Sequence, residues 1–263
     1  MRAARAALAA AALGVLAGCA TTPEDDGLLA STPIVRALDR ETDDVVPVAR
    51  FSQLSPGDPV PYGWMPWGAN SGKLPTLYRI VRAGGRTALD AYAELGATGL
   101  YRQIRVDPHR QPILEWSWRV ESLIPEADVR YARKDDSAAR IVVSFHGDAS
   151  KLDFEDRTQL RLVKAITGDA LPYAILMYVW ANDVPVDMVV QHPHIGRIKI
   201  IVVESGTKHL GQWVSYRRNL VEDYRRAFNE DPGDLVSVGV LTDSDNVQHI
   251  AHGWYGDITL RAP

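Results

Sequence analysis

Ile113-Leu114-Glu115-Trp116-Ser117-Trp118-Arg119-Val120 puts Leu114, Trp116, Trp118 and Val120 on one side of an extended chain and Glu115, Ser117 and Arg119 on the other. Successive side chains of a strand point to opposite faces, so this alternation predicts a β-strand with one face in a core and the other toward water. The same rhythm returns downstream, where Ala139, Ile141, Val143 and Phe145 alternate with Arg140, Val142, Ser144 and His146. Residues 77–81, 87–93 and 99–106 are further candidate strands, set apart by Gly-Gly and similar turn signals. Residues 173–180 (YAILMYVW) and 198–203 (IKIIVV) are apolar on both faces and read as central strands covered on both sides. Residues 234–242 and 254–260 complete about ten strands with no β-α-β rhythm, which predicts a mainly antiparallel β-sandwich.

Two stretches break the pattern. Residues 153–167 carry Leu160, Val163 and Ile166 at helical spacing, with Gly168 as the expected cap. Residues 212–229 place Trp213, Leu220, Val221, Tyr224 and Phe228 on one stripe opposite Arg217, Arg218, Glu222, Asp223, Arg225 and Arg226. That stripe predicts an amphipathic helix packed on the sandwich and stopped by Pro232-Gly233.

The beginning of the chain speaks to compartment. Arg2 and Arg5 precede an apolar run over residues 7–16, and Leu16-Ala17-Gly18-Cys19 follows. A short apolar segment with a basic flank and small residues at its end is a secretory signal, too short for a comfortable membrane span. Cys19 is the chain's one cysteine, and the run before it resembles the lipobox of bacterial lipoproteins. That resemblance implies cleavage of residues 1–18, acylation of Cys19 and a lipid-anchored product. Two or three acyl chains, at about 0.8 kcal/mol per buried methylene, would hold it firmly to a membrane. Residues 19–46 are acidic and poor in aromatics, and read as a flexible tether before a single domain over residues 47–263. Ala20, where a rule for enterobacterial lipoproteins uses Asp to mark inner-membrane retention, favours the outer membrane facing the periplasm.

Loss of Arg2 and Arg5 with the signal leaves 27 basic residues against 33 acidic ones. No basic cluster is present, which argues against nucleic acid as a partner. Acylation of Cys19 would leave no thiol for a disulfide or a thiolate metal site.

Several runs line up with one bacterial family. They are Glu115-Trp116-Ser117-Trp118-Arg119-Val120, Asp135-Asp136-Ser137-Ala138-Ala139-Arg140-Ile141, and Pro172-Tyr173-Ala174-Ile175-Leu176-Met177-Tyr178-Val179-Trp180. Residues 200–206, 219–225, 239–246 and 255–258 continue the series. Together they resemble the bacterial domain-of-unknown-function family numbered 3047, over most of residues 48–262. By analogy the pattern is similar to galactose-binding-like jelly rolls, the architecture of many carbohydrate-binding modules; fold alone does not confer function.

Each candidate site also has a simpler structural role. Asp243, Asp245 and Asn246, with Asp257, offer oxygen ligands that suit a structural Ca²⁺, or else form a turn bonding its own backbone. His192 and His194 could hold a metal with His146, His249 or His252 as third ligand, although Pro193 argues against a regular strand there. Trp64 and Trp67 lie in a Pro/Gly-rich stretch and could stack on a sugar ring, or anchor the loop. Trp116, Trp118 and Trp180 belong to apolar strand faces and are assigned to the core. Glu115, Asp183, Asp187 and Glu204 are isolated carboxylates, Asp135, Asp136 and Arg140 suit an ion pair, and no catalytic motif names a reaction, so no catalytic residue is assigned. The resulting expectation is a membrane-tethered, non-catalytic sandwich binding a glycan. The alternatives are a polysaccharide hydrolase or lyase, and a structural envelope protein that recognises a protein.

Overall fold

The computed structural model describes residues 44–68, 72–167 and 171–263. Cys19, the signal, most of the tether and Gly168 lie outside the described residues. In chain order the strands are β1 (Val45–Ala49), β2 (Trp64–Trp67), β3 (Leu77–Ala83), β4 (Arg86–Glu94), β5 (Gly99–Val106), β6 (Ile113–Val120) and β7 (Ser137–Phe145). Helix α1 (Phe154–Thr167) follows, then β8 (Ala174–Ala181), β9 (Val189–Gln191), β10 (Ile198–Ser205), β11 (Val214–Asn219), helix α2 (Leu220–Phe228), β12 (Leu235–Asp243) and β13 (Ile250–Arg261). Strand β1 already occupies Val45 and Val46, the last two residues assigned to the tether.

Among the described residues the first sheet runs β11-β6-β13-β4-β3, with β1 also paired to β13, and the second runs β2-β5-β12-β7-β8-β10-β9. All pairings are antiparallel except β8 with β10, which run parallel. One core fills the space between the sheets. Leu114, Trp116, Trp118 and Val120 of β6 face Ala139, Ile141, Val143 and Phe145 of β7, as their alternation predicts. Trp116 lies 5.1 Å from Tyr178 and Trp118 lies 6.5 Å from Trp180, ring centre to ring centre, so the indoles belong to the core. A second apolar layer, with Met177, Val179, Ile200 and Val202, covers the outside of β8 and β10. Those two strands therefore carry apolar residues on both faces, and they form the parallel pair.

The expected helix over residues 212–229 is half strand. Val214 to Asn219 pair with β6 as the sheet's edge, with Val214 and Tyr216 packed on the core. The helical stripe hid a period-two run of β-branched and aromatic residues that a neighbouring strand could claim. The switch falls at Asn219, whose side chain accepts hydrogen bonds from the Val221 and Glu222 amides and caps α2. Asn229, left-handed at φ 56°, closes it.

Candidate functional site

Strand β7 begins beside the end of β12, where Ser137 pairs with Asp243, and this junction gathers a dense set of charges. Arg140, 2% exposed, donates through Nε to Asp243 Oδ1 (2.9 Å) and through Nη2 to Asp243 Oδ2 (3.0 Å) and Asp135 Oδ1 (2.9 Å). Asp136 accepts from the Asn246 amide, from Asn246 Nδ2 and from the Val247 amide, at 3.1, 3.0 and 2.7 Å. Lys73 bonds Asp245 Oδ2 at 2.7 Å, and Asp245 Oδ1 is buried without a partner among the described residues. Burial, opposed by Arg140 and reinforced by Asp135 and Asp136, pushes the Asp243 carboxyl up to about 7.

His192 comes to the same place from the turn after β9. Its Nδ1 accepts from the His194 and Ile195 amides at 3.2 Å each, which assigns the ring proton to Nε2, 3.6 Å from Asp135 Oδ2. Burial pushes the imidazole down to about 4, outweighing the pull of Asp135. The histidine is thus neutral at physiological pH.

The sequence-derived candidates therefore converge only in part. Asp243, Asp245 and Asn246 meet Asp135, Asp136, Arg140 and His192, although the sequence offered them as separate groups. Asp257 does not join them: it accepts from the Ser52 amide and hydroxyl at 2.8 and 2.6 Å, pinning the turn after β1 to β13. His194 is exposed, and His252 lies on the other sheet. Among the described residues, Asp136, Asp243 and Asp245 form the one group whose ligand atoms all come within 4.8 Å of one another, and no histidine belongs to it. In this group Asp136 already accepts three N–H bonds and Arg140 supplies positive charge at Asp243, which compete with a cation such as Ca²⁺ for the same oxygens.

Trp64 packs in the core 5.4 Å from Phe51, ring to ring, so no indole face is left for a sugar. Trp67 turns to the outside of the second sheet, half-buried across Gly99 and Leu241. The isolated carboxylates are dispersed. Glu115 bonds Arg261 and neighbours Arg217, Asp183 faces Arg130, Asp187 bonds Arg218, and Glu204 accepts from Tyr216 and contacts His209. His146 sits apart from these, at the end of β7, with its amide on Asp234.

Sequence reasoning missed the solvent face of the first sheet. There Tyr92 of β4 stands edge-on to His252 of β13 at 5.5 Å, and His252 lies 4.1 Å from Trp254, centre to centre. The Arg119 guanidinium sits 5.0 Å over Trp254, and that of Arg86 sits 4.6 Å over Trp213. A Cβ on Gly84 would lie 2.7 Å from Trp213 Nε1 and 3.1 Å from Arg119 Nη1, so the two halves of the row meet above this glycine. Gly84 and Gly85, at φ +57° and +86°, make the two-residue β3–β4 hairpin turn that places them there. Asp90, 4% exposed, accepts His252 Nε2 at 2.6 Å and Arg79 Nη2 at 3.4 Å. The outward positions of β4 and β6 were legible as polar alternates, but Trp213 was lost to the helix expected over residues 212–229.

Two antiparallel-rich sheets around one core, with two helices, make this protein a β-sandwich. Residues 62–259 match the family described as protein of unknown function (DUF3047), and the chain belongs to that family. Among curated proteins the chain has no match. Similar solved structures include the family 11 carbohydrate-binding module of a cellulosomal cellulase of Clostridium thermocellum, at 8% identity and TM-score 0.39, covering 78% of this chain and 90% of that one. The K2 cleaved adhesin domain of Lys-gingipain aligns at 10% identity and TM-score 0.37, covering 82% and 98%. A mannan-recognising carbohydrate-binding module aligns at 10% identity and TM-score 0.32, covering 83% and 98%.

Proposed function

We propose that this protein is a lipid-tethered envelope protein whose sandwich binds a glycan without chemistry, on the solvent face of the first sheet. The observation that carries the reading is the row Tyr92, His252, Trp254, Arg119, Trp213 and Arg86, in which rings and guanidinium groups adjoin one another across neighbouring strands. Sugar rings have apolar faces that stack on aromatic side chains and hydroxyl rims that take hydrogen bonds from polar neighbours. Tyr92, Trp213 and His252 are each partly exposed, as such contact requires. A groove between residues 56–60 and residues 78–82 of β3 flanks the row and shares Val81 with the apolar cluster beneath it. The dispersal of Asp187, Glu204 and Asp243 into separate networks favours binding over the polysaccharide-cleaving alternative.

The test is a glycan array followed by titration calorimetry on the full chain. Tyr92→Ala and Trp213→Ala should each weaken the ligand found about tenfold, or about 1.4 kcal/mol. Specific binding that both variants retain would remove the face from consideration. Turnover of a polysaccharide, abolished by one carboxylate substitution, would favour the enzyme instead. The tether and its membrane stand on residues 1–19, and intact-mass spectrometry of the native product decides them. A chain starting at an acylated Cys19 supports the anchor, and a free thiol on an uncleaved chain refutes it.

A further inference from the structure

We infer that the glycan bound on this face is acidic, its carboxylates taken by Arg86 and Arg119; the inference rests on the glycan reading above and adds the class of ligand. Both arginines lie over rings, and among the described residues neither side chain makes a hydrogen bond. Arg119 lies against Trp254, its Nε is buried with no hydrogen-bond partner among the described residues, and Glu121 forms an ion pair at 3.7 Å from Nη2, too far for a hydrogen bond. Arg86 is exposed over Trp213 and, among the described residues, its side chain makes no hydrogen bond. Other arginines have carboxylate partners: Arg140 holds Asp135 and Asp243, Arg218 holds Asp187 and Asp223, and Arg130 holds Asp128.

Arg119 Nε is closed off from solvent, but the side chain as a whole is 24% exposed, so an incoming acceptor meets the guanidinium at its Nη groups and gains a charge-assisted bond there. Stacking on an indole occupies a face of the guanidinium and leaves its in-plane N–H edge free for an acceptor. That edge matches two oxygens of a planar carboxylate, which a neutral sugar does not offer. Asp90 is held by His252 and Arg79, and Glu115 by Arg261 with Arg217 beside it, while Glu121, exposed and 3.7 Å from Arg119 Nη2, is the carboxylate that a bound uronate would displace. Arg86 lies over Trp213, and Arg119 lies over Trp254 with its Nη1 on the same side of Gly84 as the Trp213 edge, so a repeating uronic acid could place one residue's ring on Trp213 with carboxylates to either side.

The experiment is calorimetry of the full chain with oligogalacturonate and oligomannuronate, each beside its carboxyl-reduced counterpart. A uronate is expected to bind at least tenfold more tightly than its reduced form. Arg119→Gln and Arg86→Gln should each erase most of that difference, and raised salt should weaken the uronate alone. Arg86 is exposed, so R86Q keeps the test open even if R119Q folds poorly. Equal binding of the acid and reduced oligomers overturns the acidic class and leaves the glycan reading standing. A uronate preference that survives both arginine substitutions also overturns it. If no oligomer binds, and no neutral glycan binds in a manner lost in Y92A and W213A, both readings fall together. An oligonucleotide of equal charge bound as tightly through the same arginines would assign the face to polyanions at large and overturn the inference.

Discussion

Replacing Arg140 by Met should be among the most damaging single changes in this protein. The guanidinium is buried and makes three charge-assisted bonds to two aspartates, together with a 2.8 Å bond to the Asp135 carbonyl. Methionine fills most of the volume but supplies no donor and no charge. Asp135, Asp136 and Asp243 would then share a poorly solvated site, with Asp243 itself buried. Removing one partner of a buried charge network costs about 3–5 kcal/mol, because the remaining charges lose compensation. Against a typical stability of about 5–15 kcal/mol, and at roughly 2–4 °C per kcal/mol for a domain of this size, that is a drop of about 6–20 °C in melting temperature. Urea melts of wild type, R140M, D243N and the double variant measure it. If uncompensated negative charge is the cause, D243N added to R140M should restore about 1–3 kcal/mol, giving a coupling term of that size. A loss under about 1 kcal/mol for R140M, or no recovery in the double variant, would refute the reasoning.

Other consequences are smaller or narrower. The His192 imidazole is held at about 4 in the fold against about 6.5 unfolded, so the folded state resists protonation. Its contribution is present above pH 6.5 and lost as pH falls toward 4, by up to about 3 kcal/mol; thermal melts of His192→Gln should lack that part of the slope, and an unchanged profile would refute it. Gly84→Val would put a β-branched residue at φ +57° and a Cβ 2.7 Å from Trp213 Nε1. It should cost about 1–3 kcal/mol, shift the tryptophan emission and weaken glycan binding; native emission and affinity in G84V would disprove the close fit. Asn219→Ala removes the cap of α2 and should cost about 1 kcal/mol in urea melts, with no effect on the ligand face.

Each part of the fold that sequence predicted correctly has a local cause. The alternation in β6 and β7 and the doubly apolar runs of β8 and β10 were readable because a strand's two faces meet two environments, and residue order records that directly. The core placement of Trp116, Trp118 and Trp180 followed from the same rule. The short strands β1, β2 and β9 were missed because three to five residues carry too little pattern. Strand β11 was missed because Trp213, Leu220 and Tyr224 also fit a helical stripe, and only the free edge of β6 decides between the two. Trp64 and Trp67, an odd step of three residues apart, end on opposite faces of the second sheet by strand alternation; only pairing with β5 makes this Pro/Gly-rich stretch a strand.

The sequence by itself determined the β class, the core faces of the long strands, the family and the expectation of a lipid anchor, since each is written in neighbouring residues. Tertiary structure alone decided which distant side chains meet. It joined Asp135 and Arg140 to Asp243 and His192, sent Asp257 to Ser52, and aligned Tyr92, Arg119, Trp213 and Trp254 on one face. Contacts between residues a hundred positions apart depend on strand order and register, and those follow from the packing of the whole chain rather than from any segment of it.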